Sequence, residues 1–234
     1  MITLKPNEER AKNAVMLIWI VMILDIAGAL SGYFQYRLLS DAARGVEISP
    51  QAVEANDYRE QMIGIVQLAF VAVAGIVFIK WFRRAYDNMH RLTSYLSFEE
   101  KWAALSWFVP IIGWFRPYQI MKEMYQEIFD ILEKKGLGSG KQYIGLLGTW
   151  WGLWLFSNFL GQILFRYSMK ADTIEELTYS TIGNIIHCLS GIPLAIVAVK
   201  VVKTYSAAET ALAASFETVH VMSNDGEDNP APLI

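Results

Sequence analysis

Four long apolar stretches, separated by polar segments, define the pattern of this chain. They cover residues 14–36, 62–82, 143–165 and 181–202, and each is close to the roughly 20 residues that a helix needs to cross a bilayer. Asp25 interrupts the first run, and the third is rich in aromatic residues. No stretch shows the alternation typical of a transmembrane β-strand. The pattern therefore predicts an all-α membrane protein with four transmembrane helices.

The connection between the second and third runs has two further elements. Residues 102–115 are apolar but too short to span, and Pro110 and Gly113 interrupt them. We predict a short re-entrant or interfacial segment here, with Trp102, Trp107 and Trp114 in the headgroup zone.

Residues 117–135 form an amphipathic helix that starts with Pro117 at its first position. Its apolar stripe consists of Tyr118, Met121, Met124, Tyr125, Ile128, Ile131 and Leu132. The polar face carries many acidic residues, so we expect the stripe to pack on protein. A partner-binding groove is the alternative.

The second helix is expected to continue beyond the membrane to Leu92, since helical periodicity persists there. Arg84 and Asn88 then lie one turn apart on one face. Two interpretations stay open. The cations form a collar that anchors the helix end among lipid headgroups, or Arg84 and Asn88 pair with buried groups in the following segment.

Composition and charge narrow the class of protein. Hydrophobic residues make up 54% of the 234 residues and charged residues 18%, against about 25% charged in a typical soluble domain. The net charge of −3 argues against nucleic-acid binding. Cys188 is the single cysteine, which excludes a disulfide framework within the chain.

The cations predict the orientation in the membrane. Ten accompany the connection between the second and third runs: Lys80, Arg83, Arg84, Arg91, Lys101, Arg116, Lys122, Lys134, Lys135 and Lys141. The loop between the first two runs is instead mainly acidic. We therefore expect residues 1–13 in the cytoplasm, a membrane domain over 14–205, and a cytoplasmic tail over 206–234 whose last dozen residues are disordered.

Polar residues within the apolar runs are candidate functional positions because polar groups are costly in lipid. They are Asp25, Gln67, Asn158, Gln162, Asn184 and His187, and most are predicted to lie at a similar depth. Hydrogen bonds that join the helices are one interpretation, and a solvated cavity for a ligand or for protons is the other. On depth alone, His187 and Asn158 are the expected partners of Asp25.

Motifs for catalysis or cofactor binding are not evident. Asp25 and His187 supply too few ligands for zinc, and His187 is the one histidine within the apolar runs, so it offers no bis-histidine haem site. The chain has no nucleophile motif and no glycine-rich phosphate loop after a strand. We expect no metal, no cofactor and no enzymatic activity.

Three motifs carry a family resemblance. The runs WFRRAYDN, WFVPIIGWFRPYQIMKE and LLGTWWGLWLFSN, in this order, closely resemble the bacterial membrane family known as domain of unknown function 4328. The resemblance covers roughly residues 14–204. It implies a four-helix integral membrane protein and brings no established biochemical role. The motif positions it marks are Arg84, Asn88, Trp107, Pro110, Arg116, Pro117, Tyr118 and Asn158.

Two classes of function follow. The first is a non-enzymatic scaffold or regulator in the bacterial cytoplasmic membrane, which engages a protein partner or a second copy through its basic connection. The alternative is a small transporter or permeation element that uses the polar residues around Asp25 and His187. An inverted repeat is not evident in the sequence, which weakens the transporter hypothesis.

Overall fold

The structure, a computed structural model, describes residues 4–137 and 143–227, with side chains described as far as residue 216. Within these ranges the secondary structure is entirely helical. The elements are α1 (Glu8–Ala43), α2 (Pro50–Leu92), α3 (Trp102–Leu105), a 3-10 turn (Ile112–Trp114), α4 (Arg116–Lys134), α5 (Tyr143–Ser168) and α6 (Ile174–Glu227). The predicted all-α class is confirmed.

Among the described residues, three helices are long and apolar enough to cross a membrane: α1, α2 and the part of α6 over Ile174–Phe216. They indicate a membrane protein. α5 has 26 residues, which is also sufficient length, but tryptophan, glycine and amide residues dilute its aliphatic content. Tryptophan favours the membrane interface, whereas glycine is common in membrane helices. Four spans therefore remain a prediction.

Contacts divide the chain into two compact units. The described parts of 1–12, 79–145 and 202–234 form one, here called the terminal unit, and 13–78 with 146–201 form the other, here called the span unit. These limits differ from the sequence-based domains, because the end of α2, the connection and the end of α6 all belong with the N-terminal residues. α6 ends at Glu227, so residues 223–227 of the expected disordered end are helical. Residues 228–234 lie outside the described residues.

The core of the terminal unit contains one face of α4. Pro117, Ile120, Met121, Met124, Tyr125, Ile128 and Leu132 of this helix are buried. They join Trp81, Phe82, Tyr86, Met89, Val202, Tyr205 and Leu212, each at most 1% exposed. The expectation that α4 packs on protein is thus confirmed. Its stripe is rotated slightly, since Ile120 is buried while Tyr118 and Ile131 are only half-buried.

The segment before α4 bends sharply. Ile111 has a φ of +68°, a region that β-branched residues rarely adopt. Pro110 precedes it, and a Cβ on Gly113 would lie 3.1 Å from the Ser106 carbonyl oxygen. The bend exposes large apolar side chains, including Phe108 (72%), Ile111 (66%) and Trp114 (51%).

Glycine residues let α1 and α6 approach closely within the span unit. A Cβ on Gly32 would lie 2.8 Å from Cγ1 of Ile185, and a Cβ on Gly191 would lie 2.2 Å from Oδ2 of Asp25. Such contacts are typical of membrane helices, where close van der Waals packing stabilises helix pairs.

Candidate functional site

Asn88 connects the N-terminal segment to the end of α2. Its side chain is 1% exposed. Oδ1 accepts a hydrogen bond from the Lys5 main-chain N–H at 2.9 Å, and Nδ2 donates to the Lys5 carbonyl, also at 2.9 Å. The amide therefore pairs with the Lys5 main chain as a neighbouring peptide group would. Nδ2 also donates to Oε1 of Glu209 at 2.6 Å.

Glu209 is a buried carboxylate with a donor at each oxygen. It is 7% exposed, and Nδ2 of Asn7 donates to Oε2 at 3.0 Å. Burial raises the pKa of Glu209, while the amides of Asn88 and Asn7 and the charge of Arg84 oppose that rise. Asn7, Asn88 and Glu209 thus form one cluster, called here the Glu209 cluster, that joins three distant parts of the chain.

For Asn88, the structure contradicts one of the two interpretations left open by the sequence. Asn88 pairs with the N-terminal segment and with α6, not with the segment that follows α2. The following segment instead contacts Arg83, whose Nε lies 2.9 Å from Oε1 of Glu100. Sequence spacing showed that Arg84 and Asn88 share a face, but it carried no information about which distant element covers that face.

Three motif residues, Arg116, Pro117 and Tyr118, lie at the start of α4. The Arg116 guanidinium lies 4.1 Å from the Phe98 ring centroid and 5.6 Å from that of Trp102. Pro117 is buried at the first turn, and Tyr118 is half-buried. The contacts of these residues are thus all at the point where α4 begins.

Two more motif residues belong to the bend. The Trp107 ring meets Phe82 edge-on at 6.0 Å, so it attaches the bend to the core of the terminal unit. Pro110 is exposed.

Asp25 and Gln67 form a polar contact in the span unit. Nε2 of Gln67 lies 3.4 Å from Oδ1 of Asp25 and 3.2 Å from the Leu24 carbonyl oxygen. A Cβ on Gly28 would lie 2.7 Å from this Nε2, and a Cβ on Gly191 still closer to Asp25. A side chain at either glycine would force the Gln67 amide or the Asp25 carboxylate to move.

The other predicted polar residues do not join this pair. Nε2 of His187 lies 3.4 Å from Oγ of Ser157. Asn158 is exposed, and its Nδ2 donates to the Trp154 carbonyl of its own helix at 2.8 Å. Gln162 is also exposed. The expectation that His187 and Asn158 are the partners of Asp25 is wrong, because depth along a helix does not fix the direction of a side chain.

A cavity of about 410 Å³ opens beside His187. Its polar lining consists of Gln35, Ser168, Ser180, Thr181, Asn184 and His187. Leu164, Phe165 and Leu177 supply an apolar side. Asn184 and His187 are thus brought together at a cavity, and Asp25 is not among its lining residues.

Several residues of these sites were missed by sequence reasoning. Glu209 lies among small apolar residues, and an acid in such a helix is a signal of burial or pairing. Gly28 and Gly32 form a G-x-x-x-G pattern that marks a close helix contact. Nothing in the sequence marks Asn7 or Lys5.

No cluster of metal ligands is found in the described part of the chain: it contains no group of three or more His, Cys, Asp or Glu side chains suited to an ion.

Comparison with known families adds one match. The family described as Domain of unknown function (DUF4328) matches residues 44–207, which is more than half of the chain. The chain belongs to this family. The DUF4328 region begins after α1 and ends just before Glu209. No curated protein and no solved structure matches the chain.

Proposed function

We propose that this DUF4328 protein is a non-enzymatic scaffold or regulator whose terminal unit engages a protein partner. The observation that carries the proposal is the packing of α4. Its apolar face is buried in its own unit, and its polar face, with Gln119, Gln126, Asp130 and Glu133, is exposed. A charged, rigid helix face of this kind offers a specific surface without catalytic groups.

The proposed setting is the bacterial cytoplasmic membrane. α1, α2, α5 and α6 are the four spans, and both chain ends, with the terminal unit, are cytoplasmic. The cations of the connection support this orientation. The exposed Phe108, Ile111 and Trp114 support an interfacial position for the bend.

Cysteine labelling tests the topology. In a Cys188→Ser background, an impermeant thiol reagent should label Ser49→Cys in intact cells and should label Ser139→Cys only after the membrane is opened. The reverse pattern would exclude the proposed orientation.

Photo-crosslinking in cells tests the partner. A photoreactive amino acid at exposed Gln126 of α4 should give a discrete protein adduct. The matched control is Leu68, which is 72% exposed on the apolar part of α2 and should give only lipid adducts. An adduct at twice the mass of the chain identifies a second copy as the partner. Equal patterns at both positions would contradict a scaffold role for α4.

Transport through Asp25 and His187 has less support. The polar contacts of these residues run to different groups, Gln67 for Asp25 and Ser157 for His187. A well-folded Asp25→Asn variant should therefore keep the partner adduct and the cellular phenotype. Loss of the phenotype in a variant of unchanged stability would favour transport instead.

A further inference from the structure

The cavity beside His187 has the features of a ligand site that the scaffold role does not use. α1 contributes Gln35, α5 contributes Phe165, and α6 contributes Leu177, Ser180 and Asn184. Its volume of about 410 Å³ lies in the range of about 300–1,000 Å³ that is usual for small-molecule pockets.

Two amide groups and one hydroxyl group of the lining are available for binding. In the part of the chain that the structure describes, the side chains of Gln35, Ser180 and Asn184 make no hydrogen bond with one another or with other residues. Gln35 and Ser180 are half-buried and Asn184 is exposed, so the polar groups of all three are accessible to a ligand. Because these groups do not bind one another, they do not act as interhelical glue.

The lining chemistry selects the type of ligand. Amides and hydroxyls are donors and acceptors at once, which suits a hydroxyl-bearing group. The lining residues include no Lys, Arg, Asp or Glu, so an ionic group would lie there without a counter-charge. Phe165 and Leu177 provide an apolar wall for a hydrocarbon part.

We propose that this cavity binds an uncharged amphipathic molecule through a hydroxyl-bearing headgroup, such as the glycerol headgroup of a neutral lipid. The headgroup contacts Gln35, Ser180 and Asn184, and the apolar part contacts Phe165 and Leu177. Gly161 leaves room for His187 at the edge of the site, since a Cβ there would lie 3.0 Å from Nε2.

The test uses the full-length protein in phosphatidylcholine nanodiscs. The probe is a monoacylglycerol with a photoreactive diazirine in its acyl chain, and mass spectrometry maps its adducts. They should fall within 161–168 and 177–187. Monooleoylglycerol should compete with the probe, and oleate should compete at least about tenfold less well. Adducts spread over the exposed apolar residues of α2, or equal competition by oleate, would overturn the proposal.

Variants provide the matched control. Gln35→Leu and Asn184→Leu remove binding groups but suit a membrane helix, and each should weaken labelling about tenfold, as expected for a lost hydrogen bond or two. Asn158→Leu makes the same change at an exposed amide outside the cavity and should leave labelling unchanged. If free glycerol competes as strongly as monooleoylglycerol, the site exists but its natural ligand is a free polyol and not a lipid. Unchanged labelling in both cavity variants would refute it.

Discussion

Replacing Asn88 by alanine should loosen the terminal unit at one defined point. The substitution removes the two hydrogen bonds with the Lys5 main chain and the donor that faces Glu209. A neutral hydrogen bond contributes about 0.5–1.5 kcal/mol and one to a charged group about 1.5–3 kcal/mol. Water replaces part of the lost bonding at Lys5, which is half-buried, so we expect a loss of about 3 kcal/mol.

The measurement is thermal denaturation in detergent together with amide hydrogen exchange. A loss of about 3 kcal/mol corresponds to a fall in Tm of roughly 10 °C for a chain of this size. The Lys5 N–H should also lose its protection from exchange, because its acceptor is the Asn88 side chain. Asn158→Ala is the control, since that exposed amide bonds only within its own helix, and it should change stability by less than about 0.5 kcal/mol.

A second substitution makes the reasoning easier to refute. Asn88→Asp at pH 8 cannot donate to Glu209 or to the Lys5 carbonyl, and it places two carboxylates in hydrogen-bond range. Like charges at that distance repel strongly in a buried site. The aspartate should therefore be worse than the alanine. An aspartate variant as stable as the wild type, or unchanged exchange at Lys5 in both variants, would show that the Glu209 cluster does not hold the N-terminal segment.

Three further predictions concern single contacts. Burial raises the pKa of Glu209 above its ordinary 4.5, so the wild type should lose stability as pH rises from 4.5 through the folded-state pKa, and Glu209→Gln should flatten that part of the stability curve. Gly191→Ala should lower stability by about 1–3 kcal/mol because its Cβ would displace the Asp25 carboxylate, whereas Gly148→Ala, which meets open space, should be neutral; equal effects in denaturation would contradict this. Arg116→Gln should cost about 1 kcal/mol through loss of its stacking on an aromatic ring, and Arg116→Lys should restore part of it in the same assay.

Local patterns predicted the helices well. Apolar runs and the proline at the start of α4 placed the helices close to their observed positions, because periodicity and end signals are properties of neighbouring residues. The predicted continuation of α2 to Leu92 is confirmed. The underestimate lies in the polar loop between the first two apolar runs, since α1 continues to Ala43 and α2 already begins at Pro50.

The sites depended on information that one sequence does not carry. Asn88 was identified as a candidate, but its partners Lys5 and Glu209 are 83 and 121 residues away. In the span unit, six polar residues at related depths gave only one direct pair, Asp25 with Gln67. Rotation of each helix about its axis decides such contacts, and small residues such as Gly28 and Gly191 leave the space that this rotation requires.

The Glu209 cluster also constrains the order in which the protein folds during its synthesis. Asn7 and Glu209 are separated by 202 residues, so the carboxylate reaches its two amide donors only after synthesis has passed residue 209. Until then the N-terminal segment lacks its attachment, and the apolar face of α4 lacks the α6 residues that complete its core. Contacts this distant in sequence form late and leave apolar surface exposed during biogenesis. A chain that ends before Glu209 would insert its helices but could not complete the terminal unit, and it would present that surface to the chaperones and proteases of the cell.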